Sequence, residues 1–431
     1  MGAYVNPGTK NMEIDIDDEF YVDTSLLIKV LNTKLNKKDR FICVSRPRRF
    51  GKTMAANMIA AYYSKDCDSH DVFSDLKISK DSSFEENINK YTVIQLDMND
   101  VVTNKEDNSV TEYINKETVS ELRKVYPSVL LADDTSLSKA IKEIYSSTGD
   151  RFVFVIDEYD VIIRDQQYSS EISGYLSFLV SLFKSSIISP AIALAYLTGI
   201  MPIIKEKTQS KLNNFNEYTM LNAKDMAPFM GFTEDEVKGL ALKVGMDFEE
   251  LKRWYDGYEL EELEIYSPKS VISAIEDRKC SDYWVETGSY EAVTDYISLD
   301  FEGLKEDVIS MFAGNRVAVR TSFYRNTMSF ETKYDVLTYL IHLGYLAYDA
   351  DTSSCFIPNN EIKDMWAHSM ERAKGYKDVF HMIKDSKKLL ESTWNGDEEA
   401  VAEGVGKAHM EACSILEYNN EGSFQSAIHL A

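Results

Sequence analysis

Phe41-Ile42-Cys43-Val44-Ser45-Arg46-Pro47-Arg48-Arg49-Phe50-Gly51-Lys52-Thr53-Met54-Ala55-Ala56-Asn57-Met58 is the stretch on which the reading of this chain turns. Four apolar residues with the look of a buried strand give way to a basic loop ending in Gly-Lys-Thr, and then to a run of strong helix formers. Strand, loop and helix start in that order aim backbone N–H groups and the positive end of a helix dipole at one point, which is an anion site. Gly51 lets the backbone approach a phosphate chain closely, Lys52 is expected to reach β- and γ-phosphates, and Thr53 to offer its hydroxyl to a magnesium ion. Arg46, Pro47, Arg48, Arg49, Phe50 and Met54 complete the expected nucleotide-binding stretch. The usual pattern, GxxxxGK[ST], has a glycine where this chain has Arg46. Pro47 can preset part of the turn instead, and each charged hydrogen bond from the arginines to phosphate is worth roughly 1.5 to 3 kcal/mol.

Moving outward, Phe152-Val153-Phe154-Val155-Ile156 is a continuous apolar run that delivers Asp157-Glu158 at its tip. Adjacent carboxylates after a buried strand form a Walker B arrangement: Asp157 is expected in the magnesium shell, and Glu158 is expected to orient the attacking water in phosphoryl transfer. Two more runs, Thr92 to Leu96 and Ile192 to Leu197, complete a set of β-rich segments alternating with helical ones, the pattern of a parallel sheet covered on both faces. Asp97, Asp157 and Thr198 fall at strand C-termini, the edge where open α/β sheets place ligands. Thr198 is a candidate sensor of the γ-phosphate or the water, and Asp97 a candidate to stand behind the magnesium ligands or, more readily, to cap its strand. Asn213 and Asn214 are weaker candidates for ligand contact. Asn104-Lys105-Glu106-Asp107 matches a guanine-reading pattern but precedes the carboxylate strand, where such a reader does not belong, so adenine is favoured.

The fold class expected is therefore α/β, a P-loop NTPase with a mostly parallel sheet, followed by a helical lid and a winged-helix-like module. The β-runs fade after Ala223, and Thr233-Glu234-Asp235-Glu236 reads as a capping box opening a helix. Val336, Leu337, Leu340 and Ile341 mark a further helix that meets Gly344 and a short hairpin reaching Phe356. The expected divisions are an NTPase domain over 1–222, a helical lid over 223–300, a winged-helix-like module over 301–360 and a helical segment over 361–431. The sequence stops at Ala427-Ile428-His429-Leu430-Ala431 and is expected to end in mid-element.

A formal charge of -24 would repel a polyanion, so broad nucleic-acid or anionic-membrane binding by this chain alone is disfavoured. The five cysteines contain no CxxC pair and the six histidines no HExxH, which argues against a disulfide framework or a zinc site. The most apolar window is broken by Pro190, Gly199 and Pro202, and the N-terminus lacks a signal pattern, so a cytoplasmic location is expected.

The strings Phe20-Tyr21-Val22-Asp23, Arg46-Pro47-Arg48-Arg49-Phe50-Gly51-Lys52-Thr53, Val155-Ile156-Asp157-Glu158-Tyr159-Asp160 and Leu197-Thr198-Gly199-Ile200 resemble the predicted AAA-ATPase-like proteins of bacteria. The resemblance continues through Tyr255-Asp256-Gly257-Tyr258, His342-Leu343-Gly344-Tyr345-Leu346 and Ile357-Pro358-Asn359-Asn360-Glu361. In that family an arginine-rich loop replaces the first glycine. The resemblance implies an ATP- and magnesium-binding protein, often fused to a C-terminal PD-(D/E)xK nuclease domain, which this stretch of sequence is expected to stop short of. Thr24 stands where the family usually has a lysine.

The leading expectation is a magnesium-dependent ATPase that couples nucleotide state to rearrangement of its C-terminal domains. The alternative is a nucleotide-gated interaction module with negligible hydrolysis, since Arg164, Arg253, Arg316, Arg320 and Arg325 are arginine-finger candidates by residue type alone and a missing finger costs about 10³ to 10⁵ in rate. A DNA-reading role for the winged-helix-like module is opposed by the acidic charge. ATP is the expected ligand, with homo-oligomerisation, a protein partner and an appended nuclease domain left open.

Overall fold

Strand β1, Phe41–Ser45, is an interior strand of the main sheet, one in from its edge. The computed structural model describes residues 2–413 apart from 133, 204, 207–208, 211, 285–289, 300, 322–329 and 374–375. Arg325 and the terminal Ala427 to Ala431 stretch thus lie outside the described residues. The other strands of this sheet are β2 (Thr92–Asp97), β3 (Phe152–Asp157), β4 (Ile192–Gly199) and β5 (Asn216–Tyr218), in the order β2-β3-β4-β1-β5 with every pairing parallel. The chain is α/β with a five-stranded parallel sheet, the fold class read from its sequence.

Alternation along the strands builds a core on each face. Phe152, Phe154 and Ile156 point into one apolar cluster with the helices Val110–Val125, Leu137–Thr148 and Ile172–Phe183. Val153 and Val155 point into the other, with the helices Leu26–Lys34 and Lys52–Tyr63. Because β4 lies between β1 and β3, the C-terminal ends of all three strands meet at one edge. Ser45 is opposite Gly199, and Asp97 of β2 is opposite Asp157.

The outer border of β2 is covered by the chain's own beginning. Val5 bridges Ile94 antiparallel, Asn6 N donates to Val93 O at 2.9 Å, and Gln95 N to Tyr4 O at 2.9 Å. The Glu121 carboxylate accepts from the amides of Ala3, Tyr4 and Val5 at 2.8, 2.9 and 2.7 Å, fixing this segment to the helix Val110–Val125.

Beyond Ala223 the stretch expected to be mainly helical also holds an antiparallel sheet of Phe232–Thr233, Tyr258–Leu260 and Leu263–Tyr266. Strands of two to four residues are too short to show a period, which is why the sequence does not announce them. Thr233 and Glu236 form a capping box at the helix Glu234–Val244. The helix Lys333–Leu343 ends at Gly344 (φ 85°) and leads into a hairpin of Ala347–Asp349 with Ser354–Phe356. Gly257 (φ 102°) is required where the chain turns against Pro358, since a Cβ there would stand 2.3 Å from the Pro358 carbonyl oxygen.

The contacts divide the chain into two units, Met1–Tyr283 with Ala318–Asn359, and Trp284–Val317 with Asn360–Ala431. Within the second unit, Glu361 accepts from Trp284 N at 3.0 Å and Tyr376 donates to Ile297 O at 3.1 Å. Among the described residues no helix is long and apolar enough to cross a membrane.

Candidate functional site

The loop after β1 turns through two left-handed residues, Arg49 (φ 70°) and Gly51 (φ 82°), and Gly51 caps the helix Lys52–Tyr63. Nothing lies within 4 Å of where a Gly51 Cβ would be, so the loop is open on that side. The Lys52 side chain, 4% exposed, folds back over the loop, donating to Pro47 O at 2.9 Å and Arg46 O at 3.3 Å.

Segments 104 residues apart close on one another at Thr53 and Asp157, where Thr53 Oγ1 donates to Asp157 Oδ2 at 2.6 Å. The other Asp157 oxygen accepts from Thr198 Oγ1 and, at 3.0 Å, from Glu158 N. Glu158 is left-handed (φ 50°), a conformation that for a non-glycine residue costs of order 1–3 kcal/mol. Tyr159 N, donating to Thr198 O at 2.9 Å, fastens that turn to β4. The Glu158 carboxylate lies between two cations: Lys52 Nζ is 3.3 Å from Oε1 and an Arg164 amine 2.8 Å from Oε2. Arg164 also donates Nε to Asp160 Oδ2 at 2.8 Å. Burial works against the Arg164 charge, but Asp160 and Glu158 outweigh it and raise its pKa.

Asp97 caps the helix Met98–Asn104 through Asn99 N at 2.8 Å, and burial, with Asp157 nearby, pushes its pKa up. Asn214 donates to Phe183 O at 2.9 Å and Asn213 is exposed; neither lines the cavity described next.

A cavity of about 600 Å³ opens over the loop, in the range that holds a small-molecule ligand. Arg48, Arg49, Phe50, Gly51, Lys52, Thr53 and Met54 line it together with Glu158, while Arg46 and Pro47 do not. The Arg46 side chain is wholly buried behind the loop, donating NH1 to Ser45 O at 2.9 Å and Tyr218 O at 3.2 Å. Its Nε and NH2 have no partner among the described residues, and burial pushes its pKa down to about 10.

The far wall of the cavity is formed by residues that the sequence reading did not place at the ligand. Phe20, Tyr21, Val22 and Thr24 line it from the N-terminal segment, and Phe232, Pro268 and Ile272 from beyond the main sheet. Asp23 does not reach it; its carboxylate takes Ser25 N at 2.9 Å and Lys77 N at 2.7 Å, holding the aromatic segment in place. Phe20-Tyr21-Val22-Asp23, quoted above for the family resemblance and given no ligand there, is the signal in the sequence that points to this wall.

Residues 8–208 match the model of the AAA-ATPase-like family, described as a predicted AAA-ATPase. A protein of Azotobacter chroococcum mcd 1, described as an uncharacterized protein in the vnfD 5' region, is 23% identical over 289 residues. The match takes in 65% of this chain and 53% of that protein, so the chain spans about half the relative's length. Among solved structures, the Aeropyrum pernix ORC2 protein in ADPNP–ADP complexes aligns at a TM-score of 0.33 and 11% identity, over 82% of this chain and 96% of that one. The A. pernix ORC1 protein in complex with DNA aligns at 0.28 and 11%, over 83% and 96%.

Proposed function

We propose that this chain, which over residues 8–208 is a predicted AAA-ATPase, binds ATP with magnesium at the loop Arg48 to Met54 and hydrolyses it. The observation that carries the reading is the closure of Thr53 on Asp157 beside Lys52 and Glu158. A hydroxyl and a carboxylate are oxygen donors of the kind magnesium takes alongside phosphates and several waters, so the residues present fit the ion. Thr53 and Asp157 would hold it, and bound there it would neutralise charge on the β- and γ-phosphates.

Lys52 leaves Pro47 O and Glu158 for the phosphates. Glu158 then accepts a hydrogen bond from the attacking water, and Thr198, already on Asp157, orients that carboxylate. Backbone amides from Gly51 onward bind the phosphate chain at the helix N-terminus. The purine lies against Phe20, Tyr21, Val22 and Ile272, a wall of the apolar and aromatic kind that accepts a flat ring.

Nucleotide state has a packed route to the helix Lys333–Leu343. Phe50 of the loop meets the Tyr258 ring edge-on at 5.6 Å, and Tyr258 donates to Gly344 O at 2.6 Å. Rearrangement of the C-terminal segments on hydrolysis is proposed to start there.

A second reading, nucleotide binding with negligible turnover, is favoured by one observation: both Glu158 oxygens are engaged by cations. Titration of the full chain with MgATP by calorimetry, with phosphate release on the same samples, decides. The hydrolase reading requires binding that Lys52→Ala weakens by at least about tenfold, the loss of one charged contact, and turnover that Glu158→Gln abolishes. Binding with turnover no faster than background selects the second reading, and wild-type affinity in Lys52→Ala rejects both.

A further inference from the structure

The Glu158 carboxylate is gripped from two sides, and the two grips differ in permanence. Lys52 belongs to the loop and holds Oε1 at 3.3 Å while also donating to Pro47 O and Arg46 O. These are arrangements it must give up to reach a phosphate.

Arg164 has no such alternative task. It lies one short turn beyond Glu158, its side chain 14% exposed, with Nε on Asp160 Oδ2 at 2.8 Å and an amine on Glu158 Oε2 at 2.8 Å. Asp160, 1% exposed, is itself fixed by the backbone of β4 and its continuation. Its oxygens accept from Ile200 N at 3.2 Å and Met201 N at 2.8 Å. That approach requires Gly199, because a Cβ there would stand 2.6 Å from Asp160 Oδ1. An unbroken set of hydrogen bonds thus runs from the backbone just after Thr198 through Asp160 and Arg164 to the carboxylate that would face the water.

We infer that Arg164 is the positioning residue for Glu158, holding Oε2 throughout the cycle so that departure of Lys52 leaves Oε1 alone, aimed at the phosphate Lys52 has joined. The inference rests on the hydrolase reading and adds a residue to it. It also removes Arg164 from the arginine-finger candidates, since a guanidinium committed to two carboxylates of its own chain is not offered to a neighbouring subunit. Arginine suits the task because its planar fork spans two carboxylates at once, which a lysine ammonium on a flexible stem does with less fixed geometry.

The test is a kcat and KM comparison of full-length wild type, Arg164→Gln, Arg164→Lys and Glu158→Gln with MgATP, together with calorimetric Kd values on the same preparations. Arg164→Gln is expected to lower kcat about 100-fold, the size of effect that a misplaced reacting group produces, with Kd within about threefold of wild type. Arg164→Lys, which keeps the charge, is expected to fall between them. Turnover by Arg164→Gln within twofold of wild type overturns the inference while leaving the hydrolase reading intact. Loss of nucleotide affinity in step with turnover, in both Arg164 variants, also overturns it by assigning Arg164 a purely structural part. Absence of Glu158-dependent turnover in wild type overturns the hydrolase reading and the inference together.

Discussion

Arg46 illustrates how little a residue's charge says about what it touches. In a sequence of basic residues ahead of Gly-Lys-Thr it is expected at the phosphates, yet its guanidinium lies behind the loop, tying the end of β1 to Tyr218 O of β5. A buried ion with unpaired N–H groups is costly, and replacing such a group by an apolar residue of similar size is often neutral or stabilising. Arg46→Met is therefore expected to leave the urea midpoint unchanged or raised and MgATP affinity within about threefold, where loss of a phosphate contact would cost more. Calorimetry and urea unfolding of the same variant check both halves. The fold brings Lys52, Thr53, Asp157, Glu158 and Thr198 together, a proximity expected from strand-end positions and a Gly-Lys-Thr helix start. The place of Arg164 was not legible in the sequence, because nothing in its spacing separates it from Arg253, Arg316 and Arg320, which are exposed.

At the scale of elements, the helix Lys333–Leu343 carries an acid-sensitive group. His342 is buried at 1% exposure, and burial, with the Arg46 charge adding to it, pushes its pKa down to about 3. An unfolded histidine titrates near 6.5, so between about pH 6.5 and 3 the unfolded chain binds the proton and the folded chain does not. Stability is thus lost as pH falls through that window, by about 2 kcal/mol at pH 5 from this group alone. Thermal unfolding of His342→Phe between pH 7 and 5 is expected to show a shallower acid-side decline than wild type. An equal decline in both would remove His342 as a cause. Long apolar strands were the most legible elements: β1, β3 and β4 begin where their apolar runs begin and end within two residues of the ends read. Asn216–Tyr218 was missed because a three-residue polar edge strand leaves no pattern, and its place is set by pairing with β1 alone.

For the molecule as a whole, a ligand that binds only the folded state must raise its stability. At a hundredfold excess over Kd the gain is about 2.7 kcal/mol. At that MgATP concentration the melting temperature of Lys52→Ala, with Kd at least about tenfold weaker, is expected to rise by about half as much as that of wild type or less, a comparison that differential scanning calorimetry makes directly. The larger organisation was less legible than the sheet. The chain leaves the first unit after Tyr283, returns at Ala318 and leaves again after Asn359, and no composition shift marks those crossings.

The segment Ala3 to Asn6, running beside β2 under the Glu121 carboxylate, has a use besides anchoring. Clipped away, it would leave the outermost ladder of the parallel sheet raw, with the Val93 carbonyl and Gln95 amide bare, and such a border templates pairing with another chain. Four residues therefore work as selvedge, keeping the weave of this sheet from being continued by a neighbour, and proteolytic nicking just after Asn6 is expected to leave that border free to pair with another copy.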